Sequence, residues 1–190
     1  KLGPKTMQNN GKRENEIICI PMFYLLDEIA NIGIFILGGT NMAFMKDILT
    51  HNIPIWEECA TTPFVQEVQT GKLPLEKFKR YMIQDSIYLK NYARIYGKAI
   101  FHAATLREIQ LYYSMLNFVN DTESEVRLDY LKQFCITDDD IELIAPLPEN
   151  QNYIDFMFEI ASHGKNEEIL MAVLPCMLSY SYIFRKLASV

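Results

Sequence analysis

Asp85 stands in a row of tyrosines. In "KRYMIQDSIYLKNYARIYG", residues 79–97, helical spacing puts it on one face with Tyr81, Tyr88 and Tyr92. A carboxylate in such a wall can accept from tyrosine hydroxyls. It can also take paired donors from a ligand, such as the amino group and ring of a heterocycle. The plainer alternative is an acid paired with Lys90 or Arg94 on the same segment. A second group lies in "LPCMLSYSY". Pro175 inside a helix removes one backbone bond and presses on the carbonyl of Met171, so a kink there opens the helix around Cys176. Tyr180 follows one turn later on the same face. A cysteine beside tyrosine hydroxyls can be a nucleophile if they stabilise its thiolate. It can equally be a small core residue. Spacing alone leaves both pairs of readings open. His51, His102 and His163 are isolated, and no CxxC pair joins Cys19, Cys59, Cys135 and Cys176. No metal site or cofactor is therefore expected.

Helices must position these groups. "TTPFVQEVQTG", residues 61–71, has a threonine cap, Pro63 in its first turn and Gly71 as its stop. Residues 73–104 read as a long helix opened by Pro74, with Phe78, Met82, Leu89, Ile95 and Ala99 near helical spacing. Residues 106–119 and 123–135 read as two more. "TDDDIELIA" begins another, with acids in the turn where they suit the helix dipole. "NQNYIDFMFEIASHG" and "NEEILMAVLPCMLSYSYIFRKLA" follow, with Gly164 as the break, while Pro54 permits only a helix start or a kink. No alternating strand and no repeat is found. The expected class is all-α.

Composition narrows the function classes. Hydrophobic residues make up 49% and charged residues 22% of the 190, enough for one domain with a real core. The formal net charge is −6 with no basic stripe, which disfavours nucleic acid as a partner. No signal peptide is read, so a cytoplasmic protein with reduced thiols is expected. Residues 1–16 are polar and are expected to be a mobile tail. Residues 17–41 are expected to add an apolar helix and the Gly-rich turn "GGTN". The helix is long enough to span a bilayer, but Asp27, Glu28 and Asn31 lie near its middle, so a membrane role is not expected. It is expected to cover apolar surface of the domain formed by residues 42–190.

From about Met45 to Leu187 the chain resembles the TenA family (thiaminase II, or aminopyrimidine aminohydrolase). "TPFVQEVQTGKLPLEKFKRYMIQD" is similar to the family's opening, an "HPFV" turn leading to G-x-L-P-x-x-x-F-x-x-Y-x-x-Q-D. "QDSIYL" is similar to its substrate-binding acid with a tyrosine three residues on. "NYIDFM" is similar to a pocket helix, and "EEILMAVLPCMLSY" to the helix carrying the nucleophile. The resemblance implies a TenA-like (haem-oxygenase-like) helical bundle and a homo-oligomer, dimer or tetramer. It implies thiamin salvage: hydrolysis of aminomethylpyrimidine, or of thiamin, to hydroxymethylpyrimidine. It implies Cys176 as nucleophile, Tyr88 and Tyr153 as hydroxyls favouring the thiolate, Asp85 as the holder of the aminopyrimidine ring, and Tyr180 as a substrate contact.

The sequence departs from the family in three places. The two family helices that follow this point, with a substrate-contacting tyrosine and a proton-donating glutamate, have no counterpart here. Residues 1–41 have no match. Tyr182 stands where many relatives carry glutamate. The implied alternative is a pyrimidine-binding or regulatory protein with little or no turnover, because general acid catalysis is commonly worth about two to four orders of magnitude.

Overall fold

A computed structural model describes residues 42–117 and 123–188. The expected tail (1–16), the apolar helix and turn (17–41) and Cys19 lie outside the described residues. Eight helices are described: α1 (Met42–Ala60), α2 (Pro63–Gln69), α3 (Leu75–His102), α4 (Leu106–Asn117), α5 (Glu123–Gln133), α6 (Asp138–Glu142), α7 (Pro148–His163) and α8 (Asn166–Ala188). No strand occurs among the described residues, and the all-α class holds.

Local chemistry explains the boundaries. Pro63 and Pro148 open α2 and α7, where a missing N–H costs nothing. Thr105 and Glu108 exchange bonds across the start of α4, as Thr137 and Asp140 do at α6. The acidic run expected to open a helix does so, but α6 spans only Asp138–Glu142. α5 stops at Gln133 instead of 135, because Cys135 adopts φ 55° and turns the chain left-handed. Of the two alternatives at Pro54, a helix start or a kink, the start is excluded, because α1 runs through it.

The chain divides into two compact units. One holds residues up to Gly71 together with Ser181 onward. Trp56 and Ala60 are buried in it, with the Trp56 ring 5.7 Å from that of Tyr182. Lys186 and the Tyr182 hydroxyl both bond the Glu57 carboxylate and hold it below the ordinary carboxylate range.

The other unit, Lys72–Tyr180, is organised on α3, against which α4, α5, α6 and α7 pack. Its core is made by Ile95 and Tyr96 of α3, Leu131 of α5, Met157 of α7, and Ile169 and Val173 of α8. Met82, Leu89 and Ala99 are buried as their spacing predicts, whereas Phe78 is half-buried against Tyr130 and Phe134. α8 is long and apolar enough to cross a bilayer, yet Ile169, Leu170, Ala172, Val173 and Met177 are buried, as in a core helix.

Candidate active site

Three helices of the Lys72–Tyr180 unit bring the candidate residues together. α3 supplies Asp85 and Tyr88, α7 supplies Tyr153, and α8 supplies Cys176 and Tyr180. Gln84 sets the first two of these helices against each other. Its side chain accepts from the Leu147 N–H at 2.8 Å and from Asn150 Nδ2 at 3.1 Å, while Asn150 also donates to the Gln84 carbonyl at 2.9 Å. The residue before the acid thus fixes the start of α7. Gly164 makes the turn from α7 to α8 tight: a Cβ there would sit 2.6 Å from the Ile160 carbonyl oxygen.

Tyr88 stacks on Tyr153, with ring centres 5.8 Å apart and planes 14° from parallel. Its hydroxyl is buried and has no partner in hydrogen-bonding geometry. The groups bearing on it are the Cys176 thiol and the hydroxyls of Tyr153 and Tyr180. Burial first, then these neighbours, push its ionisation far above the ordinary tyrosine range. Tyr88 is therefore a donor and not a base at neutral pH. Its proton points to chemistry in which something nearby becomes negative.

Tyr153 donates to the Ala172 carbonyl at 2.9 Å, and the Cys176 backbone amide bears on its oxygen from the next turn. Tyr92 donates to the adjacent carbonyl, Val173, at 3.0 Å, and receives from Tyr96 at 3.3 Å. Two hydroxyls from two helices thus hold consecutive carbonyls just before Pro175. Pro175 interrupts the ladder on this turn and releases the carbonyl of Met171, the residue just before these two. The turn that presents Cys176 is pinned from both sides. Cys176 itself is half-buried and outside any disulfide. Tyr180 meets Tyr81, hydroxyl to hydroxyl, at 3.2 Å.

Asp85 is the acid of the group. Dense protein around the carboxyl pushes it up to about 7, and the Arg127 guanidinium draws it back down. Its surface is nonetheless not sealed from solvent. A carboxyl that exchanges its proton near neutrality can meet a heterocycle of similar basicity with one proton shared between them. The simple pairing with Lys90 or Arg94 is not what the chain does. Lys90 binds Glu142 at 2.7 Å, while Arg94 donates to Asn91 and lies over the Phe158 ring. Arg127, from α5, was not singled out by the sequence, because no spacing rule joins it to α3. Gln84 and Asn150 were missed for the same reason, although Gln84 lies inside the quoted "QD" pair.

Comparison with known proteins gives a consistent result. Residues 51–190 match the model of the TENA/THI-4/PQQC family. The chain is 30% identical over 149 residues to an aminopyrimidine aminohydrolase of Halalkalibacterium halodurans, covering 78% of this chain and 66% of that one. It is likewise 30% identical to an aminopyrimidine aminohydrolase of Bacillus subtilis, covering 77% of this chain and 62% of that one. Among solved structures, a TenA homologue from P. horikoshii OT3 superposes with a TM-score of 0.68 at 30% identity, over 76% of this chain and 67% of that one. The chain spans just under two thirds of the length of these two curated relatives.

Proposed function

Since the chain belongs to the TENA/THI-4/PQQC family, we propose that it hydrolyses an aminomethylpyrimidine, or thiamin, to the hydroxymethylpyrimidine, with Cys176 as nucleophile. One observation carries this reading: the buried, unpartnered Tyr88 hydroxyl that the Cys176 thiol bears on, one helical turn from Asp85. A buried donor left without an acceptor is costly. A thiolate, or the electron-rich ring formed when it adds, would give that donor its bond.

The steps balance as a hydrolysis. Asp85 holds the ring through its amino group and adjacent nitrogen, sharing one proton with it. The Cys176 thiolate adds to the electron-poor ring, and the leaving group departs from the methylene carbon as ammonia or as the thiazole. Water then bonds to that carbon, gives up a proton, and the thiolate leaves. Tyr88 and Tyr153 stabilise sulfur while it is charged. Tyr180 contacts the substrate.

The test is product formation from thiamin and from the aminomethylpyrimidine side by side, for the chain and for Cys176→Ala. Hydroxymethylpyrimidine from either substrate, lost in the variant, is the expected result. Binding of the pyrimidine with no product would make the chain a binding protein of the same pocket. No binding at all would end both readings. The exposed thiols of Cys59 and Cys135 suit a reducing compartment, and we take that to be the cytoplasm. Self-association to a dimer or tetramer is part of the proposal, and exposed Phe101 and Leu106 offer apolar surface for it to cover.

A further inference from the structure

Arg127 presents an unusual arrangement of buried charge. Its Nη1 donates to Ser86 Oγ at 2.9 Å, and its Nε is buried without a partner. Ser86 can accept that bond because its own hydroxyl proton goes to the Met82 carbonyl, at 2.7 Å. Ser86 adjoins Asp85 in sequence. Yet among the described residues no ion pair or hydrogen bond joins Arg127 to Asp85. A half-buried guanidinium beside a half-buried carboxylate would ordinarily close a two-pronged bond. Here the cation is tied one residue away.

We propose that Arg127 is a positioning residue: anchored on Ser86 instead of on Asp85, it supports the negative charge of Asp85 while leaving the carboxylate oxygens to a ligand that offers two donors on one edge. The inference rests on the reading of Asp85 as the ring holder, and it names what keeps that acid available. The ligand class that follows is a planar amidine-like edge, as an aminopyrimidine protonated on its ring nitrogen presents. A ligand with an acceptor facing the carboxylate would be rejected. Several other charged groups on or near α3 have partners of their own. Lys90 binds Glu142 of α6, Arg94 binds Asn91, Asp129 and Lys132 of α5 pair at the surface, and Asp155 of α7 takes Gln151. From α7 and α8 the groups that bear on Tyr88 are the hydroxyls of Tyr153 and Tyr180 and the Cys176 thiol.

Two substitutions that remove the same hydrogen bond have opposite consequences for Asp85. In Arg127→Gln the supporting charge is gone, so the carboxyl becomes harder to ionise. In Ser86→Ala the guanidinium loses its anchor and turns onto Asp85, so the carboxyl becomes easier to ionise. Carbon-13 NMR of aspartate-labelled protein reads this without any ligand. The Asp85 signal is identified by its absence from Asp85→Asn. The expected midpoint rises by about one unit in Arg127→Gln and falls by about one unit in Ser86→Ala. Arg127→Lys should return it towards the parent value. Affinity for 4-amino-5-(aminomethyl)-2-methylpyrimidine should drop about tenfold in Ser86→Ala, since the ligand must then displace Arg127. It should be insensitive to Ser86→Ala once Arg127 is already Gln. A merely structural role would move both midpoints the same way or not at all, and either result overturns the proposal. Opposite shifts with pyrimidine affinity unchanged in Asp85→Asn would instead sink the ring-holder reading and leave the Arg127 assignment standing.

Discussion

Asp85 costs the fold something, and the sign of that cost is testable. Its carboxyl titrates near 7 in the folded chain against an ordinary aspartate value of 3.8. Between these values the folded protein holds a proton that the unfolded chain has released. Stability therefore falls as pH rises from about 4 to about 7, and the penalty is complete above that window. Asp85→Asn should raise Tm at pH 8, with the gain vanishing towards pH 4. The same variant should lose roughly 1.5–3 kcal/mol of pyrimidine affinity, the worth of a charge-assisted bond. Calorimetry showing unchanged affinity would remove Asp85 from the site. The thiols give a second residue-scale test. Cys59 and Cys135 are exposed and Cys176 is half-buried, so access alone favours the first two. Faster alkylation of Cys176 by iodoacetamide, slowed by pyrimidine and by Tyr88→Phe, is expected, whereas labelling that simply follows exposure would leave Cys176 a core residue. At this scale the sequence is legible where one helix fixes the geometry: Asp85 and Tyr88 share a face because they are three apart. Cys176 was legible as a candidate from the Pro175 kink and Tyr180, with the core reading left open, whereas Tyr153 was reachable only through resemblance of a whole segment. Arg127 was not reachable, because its bond to Ser86 depends on how α5 lies on α3.

At the scale of elements, turns and clamps decide where the site residues sit. Gly164 has no room for a side chain against the Ile160 carbonyl. Gly164→Ala should cost about 1–3 kcal/mol and lower Tm by several degrees, read by calorimetry, with a matching loss of activity because the turn joins the helices of Tyr153 and Cys176. Cys135 occupies a left-handed position that glycine fills more easily. Cys135→Gly should stabilise the chain by about 0.5–1 kcal/mol in urea unfolding. The helices themselves were legible, since proline at the first turn, glycine at breaks and acids at α6 are local signals. Their lengths were less so. The end of α5 is set by an αL cysteine, which no turn preference announces, and α1 keeps its helix through Pro54.

For the whole molecule, ligand and stability are linked. A pyrimidine held at about 100 times its Kd should add about 2.7 kcal/mol, a rise in Tm of several degrees for a chain of this size, and at the same concentration only about 0.3–1.3 kcal/mol in Asp85→Asn. A rise of equal size in the variant would show that the ligand binds elsewhere. The two units offer a further handle. Trp56 is the chain's one tryptophan, and it lies buried with Tyr182 in the unit formed by residues up to Gly71 and from Ser181 onward. The tyrosines around Cys176 all belong to the other unit. Indole emission is therefore a natural label, placed on one unit and absent from the other. Selective excitation of Trp56 during urea unfolding should report that unit by itself, while far-ultraviolet dichroism averages over all the helices. Coincident curves would mean that the units melt as one; separated curves would make this single indole a clock for the order in which they let go.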